Sequence, residues 1–305
     1  MEHASSTFLQ AKRYAVVTGA NKGIGFEICK QLASKGILVV LTSRDEKRGV
    51  EAVEKLRESG LSDYVIFHQL DVTDPASIAS LAHFIKTQFG KLDILVNNAA
   101  CIGAVLSDAF VKAFEAVNDW PGLHCFDWNE LATQNFEMAE ECLKTNYYGA
   151  KRMIEAHIPL LQLSDSPRIV NVSSLSGLLK NVENEYAKAM LNDVENLTEE
   201  KIDELLSKFM KDFKEGSLEK EGWRTYLSAY TISKAALNAY TRLLAKKYPD
   251  FLVNSVCPGY VKTDITCNTG LFTPPEGAHS IVRLALLPQS GPSGLFFSRN
   301  EMSCF

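Results

Sequence analysis

From Tyr14 onward, short apolar runs alternate with amphipathic stretches. Tyr14–Thr18, Leu38–Thr42, Val65–Gln69, Leu92–Asn97, Arg168–Val172 and Leu252–Val256 are rich in Val, Ile and Leu. Their apolar positions are mostly consecutive rather than alternating. That is the pattern of strands buried on both faces of a parallel sheet. Between them the spacing of apolar positions predicts helices over Gly25–Ser34, Asp45–Glu58, Pro75–Gln88, Phe136–Leu161 and Tyr226–Lys247. A last helix is predicted after Pro275, with Leu295–Phe297 closing the sheet.

Two stretches break this rhythm. Cys101–Asn135 reads as a loop and carries Trp120, Pro121, Phe126 and Trp128. Leu178–Arg224 begins irregularly and then turns strongly charged. Within it, a helix from Thr198 toward Lys214 would place Ile202, Leu205, Leu206 and Phe209 on one face. Neither stretch has enough apolar residues for a core of its own. The prediction is therefore one α/β domain over residues 1–305, a doubly wound parallel sheet of Rossmann type. The insertions, about 101–135 and 178–224, are expected over the edge where such sheets bind ligands, at the carboxyl ends of the strands.

Composition changes this picture mainly by exclusion. A net charge of −5 with no basic stripe gives nothing for nucleic acid to bind. No apolar run reaches the roughly 18 residues that a bilayer span needs, so no membrane association is expected. Met1–Lys12 is short and polar and lacks an apolar signal core. The seven cysteines are scattered without a Cys-x-x-Cys pair, and reduced thiols in a cytoplasmic protein are expected. The six histidines show no metal-ligand spacing, so no metal site is expected.

The first strand runs into Gly19-Ala20-Asn21-Lys22-Gly23-Ile24-Gly25, and a helix follows. Glycines allow the tight turn and let backbone N–H groups approach a pyrophosphate, which the helix N-terminus also favours. No Gly-Lys-Ser/Thr closes the turn, so it is not a P-loop. The second strand ends in Thr42-Ser43-Arg44, where an NAD enzyme usually places a carboxylate for the ribose. The planar fork of Arg44, joined by Lys22 and Arg48, suits a 2′-phosphate, which favours NADP(H) over NAD. Asp45 is expected to cap the following helix rather than to bind ribose.

Tyr230 and Lys234 stand four apart in a helical pattern and so share one face. A nearby ammonium should lower a phenol's pKa and make it a better proton donor to a developing alkoxide. The strand Arg168–Val172 ends at Ser173-Ser174, where a hydroxyl can hydrogen-bond a substrate oxygen.

These motifs together resemble the short-chain dehydrogenase/reductases. They are Thr18-Gly19-x-x-x-Gly23-x-Gly25, Asp71-Val72, Asn97-Asn98-Ala99, Asn146, Ser174, Tyr230-x-x-x-Lys234 and Pro258-Gly259. The stretches NKGIGFEICKQL, FGKLDILVNNA, PLLQLSDSPRIVNVSS and LNAYTRLLAKKYP look most like the monomeric plant branch, that of the salutaridine and menthone reductases. The resemblance implies that Tyr230 donates the proton, while Lys234 binds the nicotinamide ribose and tunes Tyr230. It implies that Ser174 orients the carbonyl and that Asn146 holds a water linking Lys234 to solvent. Asp71 and Val72 would flank adenine and Asn98 the adjacent ribose. Pro258, Gly259, Val261 and Thr263 would lie along the nicotinamide.

Two departures stand out. Ala100 replaces the usual glycine after Asn-Asn-Ala, and the interval from Ser174 to Tyr230 is far longer than in compact members. In the monomeric branch that long insertion covers the helices other members use to dimerise, so the resemblance implies a monomer. Trp128, Trp223 and Tyr226 are the aromatic candidates for lining the cleft. The implied activity is NADPH-dependent reduction of a ketone or aldehyde on a small hydrophobic molecule. Alcohol oxidation by NADP⁺, reduction of a conjugated C=C bond, and a catalytically silent NADP-sensing protein are the alternatives.

Overall fold

The computed structural model describes residues 13–115 and 126–305. Met1–Lys12, Trp120, Pro121 and Cys125 lie outside them. In chain order the elements are β1 (Tyr14–Val17), α1 (Gly23–Ala33), β2 (Leu38–Ser43), α2 (Glu46–Leu56), β3 (Val65–Gln69), α3 (Pro75–Phe89) and β4 (Ile94–Asn97). The first insertion holds β5 (Val105–Leu106), α4 (Asp108–Glu115), α5 (Trp128–Leu131) and β6 (Ala132–Thr133). Then follow α6 (Phe136–Leu143), α7 (Ala150–Leu161), β7 (Arg168–Val172), α8 (Glu185–Asn192), α9 (Glu199–Lys214) and α10 (Ser228–Lys247). The chain ends with β8 (Leu252–Cys257), α11 (Pro274–Ala285), β9 (Phe296–Ser298) and β10 (Glu301–Ser303).

Eight strands form one sheet in the order β10-β9-β8-β7-β4-β1-β2-β3, parallel except for the β9–β10 hairpin. Successive side chains of a strand point to opposite faces. Val16, Val40 and Leu95 therefore join the core under α3, α6, α7 and α10. Their neighbours Ala15, Val17, Val39, Leu41, Ile94 and Val96 join the core under α1, α2 and α11. Helices on both faces require apolar side chains at every position, which explains the consecutive runs. The strand order reverses between β1 and β4, and crossovers on either side of such a point leave a crevice at the strands' carboxyl ends. Among the described residues, no helix is long and apolar enough to cross a membrane.

Several helix starts follow from their caps. The Asp45 carboxylate accepts from Arg48 N at 2.9 Å, so it caps α2 as expected. Asp74 caps α3 ahead of Pro75, and Thr273 with Glu276 forms a capping box at α11.

Four expectations need correction. The single helix expected over Phe136–Leu161 is divided by a π-helical turn at Lys144–Gly149. The first insertion is not all loop, since α4 stacks Phe110 on Phe114 with centroids 4.3 Å apart. These rings build a small cluster with Trp128, Leu131 and Leu227. The C-terminal edge continues past Phe297 into β10. The second insertion does not lie over the ligand edge. The apolar face of α9, with Ile202, Leu205, Leu206 and Phe209 buried, joins the core shared with α6 and α10. A stripe that wide needs a large apolar partner, and these two helices present one.

Candidate active site

A cleft of about 880 Å³ opens at the carboxyl ends of the strands. Gly19, Asn21, Lys22, Gly23, Ile24, Gly25, Arg44, Arg48, Asp71, Val72 and Asn98 line it. So do Ser174, Tyr230, Lys234, Pro258, Gly259, Val261 and Thr263. Of the catalytic and cofactor residues predicted from sequence, Asn146 alone is not in the lining; of the aromatic candidates, Trp223 and Tyr226 are not.

The floor at one end is the glycine turn. Gly19 adopts φ +62°, a left-handed conformation that favours glycine. At Gly25 a Cβ would stand 2.6 Å from both Asn98 Nδ2 and the Gly19 carbonyl, so only glycine lets α1 approach β1 this closely. Asn98 locks the turn by donating from Nδ2 to the carbonyls of Thr18 (2.9 Å) and Gly19 (3.0 Å). The Thr18 hydroxyl in turn accepts from Asn98 N and Ala99 N, each at 2.9 Å. Asn98 thus acts here through the turn's shape. At the start of α1, Lys22 gives no side-chain cap and the first turn holds no acidic side chain. The N–H groups and positive dipole end of α1 therefore remain available to an anion, and the donor set fits a dinucleotide pyrophosphate.

Beside the turn, three cations are exposed. Arg44 lies 3.8 Å from Glu141, Arg48 lies 3.5 Å from Asp45, and Lys22 pairs with Asp264. Exposed pairs of this kind hold their partners weakly. The Asp71 carboxylate accepts from Thr73 N at 2.9 Å and from the Thr73 hydroxyl at 2.7 Å, which fixes the turn after β3.

At the other end, β7 delivers Ser174, and α10 delivers Tyr230 and Lys234. The turn at Leu175–Gly177 lies directly on α10. A Cβ at Gly177 would be 2.6 Å from the Lys234 backbone. This contact brings the Ser174 side chain into hydrogen-bond reach of the Tyr230 phenol. Lys234, 2% exposed, donates from Nζ to the Val172 carbonyl at 2.8 Å and lies 5.8 Å from the Tyr230 ring centre.

The electrostatics correct the sequence reading of this pair. Burial pushes the Tyr230 phenol well above its ordinary pKa, and the Ser174 hydrogen bond offsets only part of that. Burial also pulls the Lys234 ammonium down to about 8, against weaker opposing effects of nearby cysteines. Desolvation of both groups outweighs the attraction of one for the other. Tyr230 is thus a protonated acid at neutral pH.

Asn146 sits in the π-helical turn, 1% exposed. Its Oδ1 accepts from Cys101 N and its Nδ2 donates to the Cys101 carbonyl, both at 2.9 Å. Nδ2 also reaches the Ser233 hydroxyl at 3.1 Å. The side chain is fully engaged in tying α6 and α10 to the loop after β4.

The wall beyond Tyr230 is apolar, built by Ile102, Leu106, Phe110, Trp128, Leu227 and Tyr260. Of these, sequence reasoning found Trp128 alone. The four-residue spacing of Phe110 and Phe114 was the available signal for a helix here. Tyr226 stacks on Trp128 with ring centres 5.3 Å apart. Trp223 is not in the lining. It is buried against Phe209, and its Nε1 donates to the Asp212 carboxylate at 2.8 Å. No residue of 178–224 reaches the lining.

Residues 13–189 and 217–271 match the family model of the short chain dehydrogenases. The chain belongs to the short-chain dehydrogenase family. The internal interval 190–216 that this short-chain dehydrogenase leaves unmatched contains α9, the long helix of the second insertion. A (+)-neomenthol dehydrogenase from Arabidopsis thaliana is 62% identical over 299 residues, covering 97% of this chain and 99% of the relative. The solved structure of salutaridine reductase from Papaver somniferum is similar with a TM-score of 0.87 and 55% identity, covering 94% of this chain and 99% of that one. Carbonyl reductase [NADPH] 1 from Mus musculus is 39% identical, covering 92% and 94% respectively. This short-chain dehydrogenase is accordingly an oxidoreductase of the type that uses a nicotinamide cofactor.

Proposed function

We propose that the protein reduces a ketone or aldehyde on a small, rigid, apolar molecule to an alcohol, using NADPH. The observation that carries this reading is the convergence of Ser174, Tyr230 and Lys234 between a glycine turn and an apolar wall in one cleft. Bound NADPH supplies the hydride. The Ser174 hydroxyl orients the carbonyl oxygen, and Tyr230 Oη gives that oxygen its proton. Burial keeps the phenol protonated, which supports the reducing direction. Lys234 Nζ, held by the Val172 carbonyl, lies beside the phenol and stabilises the phenolate left after transfer. Asn146 positions α10 through Ser233. Its side-chain partners are protein atoms, so any water it holds would rest on its backbone carbonyl.

The preference for NADPH over NADH rests on Lys22, Arg44 and Arg48 around one end of the cleft and on the absence of a carboxylate directly after β2. Asp71 and Val72 would flank the adenine, and Pro258, Gly259, Val261 and Thr263 the nicotinamide side. The mouse relative is named for NADPH. The rings of Phe110, Trp128 and Tyr260 favour terpenoid- or alkaloid-like ketones over polar ones. The names of the Arabidopsis and Papaver relatives agree with that class. The chain is read as a monomer because α9 already covers the outer faces of α6 and α10.

The test is NADPH consumption with a panel of monoterpene ketones, alkaloid ketones and simple aldehydes, followed by chiral analysis of the products. Tyr230→Phe should lower turnover by about a thousandfold while leaving NADPH binding intact. Near-normal turnover in that variant would remove Tyr230 from the mechanism, and a saturated ketone as product would replace carbonyl reduction by reduction of a C=C bond.

A further inference from the structure

Two cysteines stand against this site and have no part in the chemistry above. Cys101 follows β4, and its side chain lines the cleft next to Ile102. Cys142 lies near the end of α6 and is completely buried. The two thiols stand close enough to shift one another's ionisation. Cys142 Sγ also lies 3.5 Å from the Cys101 carbonyl oxygen. The approach depends on Gly103, where a Cβ would stand 2.6 Å from Cys142 Cβ and 3.0 Å from its sulfur. Asn146 holds both cysteines, bonding the Cys101 backbone twice and donating to Cys142 Sγ at 3.2 Å. Its remaining contact is Ser233, the residue before Lys234.

We propose that Cys101 and Cys142 form a peroxide-sensitive dithiol whose oxidation to a disulfide slows turnover. The two sulfurs are suited to different parts. Cys101 is reachable from the cleft, and interaction with the Cys142 thiol holds its own thiol below the ordinary range, ahead of the opposing effect of burial. The thiolate is the reactive form. Burial holds Cys142 well above its ordinary pKa, so it stays a thiol until its partner is oxidised. In the first step the Cys101 sulfur attacks hydrogen peroxide. An S–O bond forms, the O–O bond breaks, and the departing hydroxide leaves as water with the Cys101 proton. In the second, the Cys142 sulfur attacks the sulfenic acid sulfur. The S–S bond forms, the S–O bond breaks, and a second water leaves with the Cys142 proton. Two thiols are oxidised by two electrons, and one peroxide is reduced to two waters.

Such a bond would tie the loop after β4 covalently to α6. Asn146 bonds both cysteines, so its hold on Ser233 would shift, and with it the setting of Lys234 on α10. The wall that Cys101 contributes to the cleft would move as well.

The full-length protein, treated with hydrogen peroxide and then alkylated, is digested without reductant. The expected peptide map contains Cys101 and Cys142 in one linked pair lighter by two hydrogens. Turnover should fall by about a hundredfold, as ångström-scale misplacement near a reacting centre produces. Dithiothreitol should reverse both changes. In Cys142→Ser, or in Cys142→Ala should the serine variant fold poorly, the linked pair should vanish and a dimedone-reactive sulfenic acid should persist on Cys101. Absence of the linked pair in the parent protein overturns the proposal. So does a linked pair with unchanged turnover, or an activity loss that is equally reversible in the Cys142 variants. The peptide map needs no substrate, so failure of the carbonyl-reductase reading would leave that arm decisive.

Discussion

Replacing Lys234 by Met should make the stability of this protein less dependent on pH, in a direction and size set by burial. Lys234 is 2% exposed, and its pKa falls from 10.5 to about 8. Below pH 8 the ammonium is charged in both folded and unfolded chains, and the folded state bears the full desolvation penalty. Between 8 and 10.5 the unfolded chain binds a proton that the folded chain does not, so stability rises with pH. Above 10.5 the penalty has gone. From pH 7 to pH 9.5 the parent protein should therefore gain about 2 kcal/mol relative to Lys234→Met. The Nζ–Val172 hydrogen bond is lost in the variant at both pH values, so it cancels from this difference. Guanidinium unfolding of both proteins at the two pH values, followed by circular dichroism, gives the quantity directly. A stability difference that stays constant with pH would mean that Lys234 is solvated in the folded state, and the account of its electrostatics would fail.

Further predictions follow from the cofactor end and from the corrected insertion. Arg44→Ala should raise the dissociation constant for NADPH by about tenfold and leave that for NADH nearly unchanged, because the fork it removes matches only a phosphate; fluorescence titration with each nucleotide decides it. Gly25→Ala should lose about 1–3 kcal/mol of stability, or more, together with most nucleotide binding, since its Cβ would meet backbone atoms that cannot withdraw. Trp223→Phe should cost about 1–3 kcal/mol by removing the donor to buried Asp212 while leaving kcat and KM for ketones unchanged. A change in KM there would return Trp223 to the substrate cleft.

Much of the scaffold could be read before any coordinates. Consecutive Val, Ile and Leu in β1, β2 and β4 can satisfy only a sheet covered on both faces. The glycine turn, Ser174 and the Tyr230–Lys234 pair each carry a local chemical pattern. What escaped was set by tertiary contact. An extra residue in a π-helical turn leaves apolar spacing nearly intact, so Phe136–Leu161 looked continuous although Asn146 sits at its interruption. The stripe on α9 declared that it needed a partner but not which one, and α6, half of that partner, lies far from it in sequence. The direction of the Tyr230 shift depended on desolvation in the folded chain, which a four-residue spacing does not report. The strand Glu301–Ser303 is short and largely polar, and only its pairing with β9 makes it a strand.

Of the twenty residues of α10, fourteen are buried, Lys234 among them. One element is thus both keystone of the interior and bearer of the reacting groups. The ring cluster of the first insertion is a separate, smaller body that meets α10 at its first turn, near Leu227 and Tyr230. Substitutions that retune which molecule fits can accumulate in that cluster without unsettling the chemistry. Substitutions within α10 have no such freedom. Diversification of such a chain into new specificities should therefore be concentrated in its periphery, with the reaction type inherited unchanged.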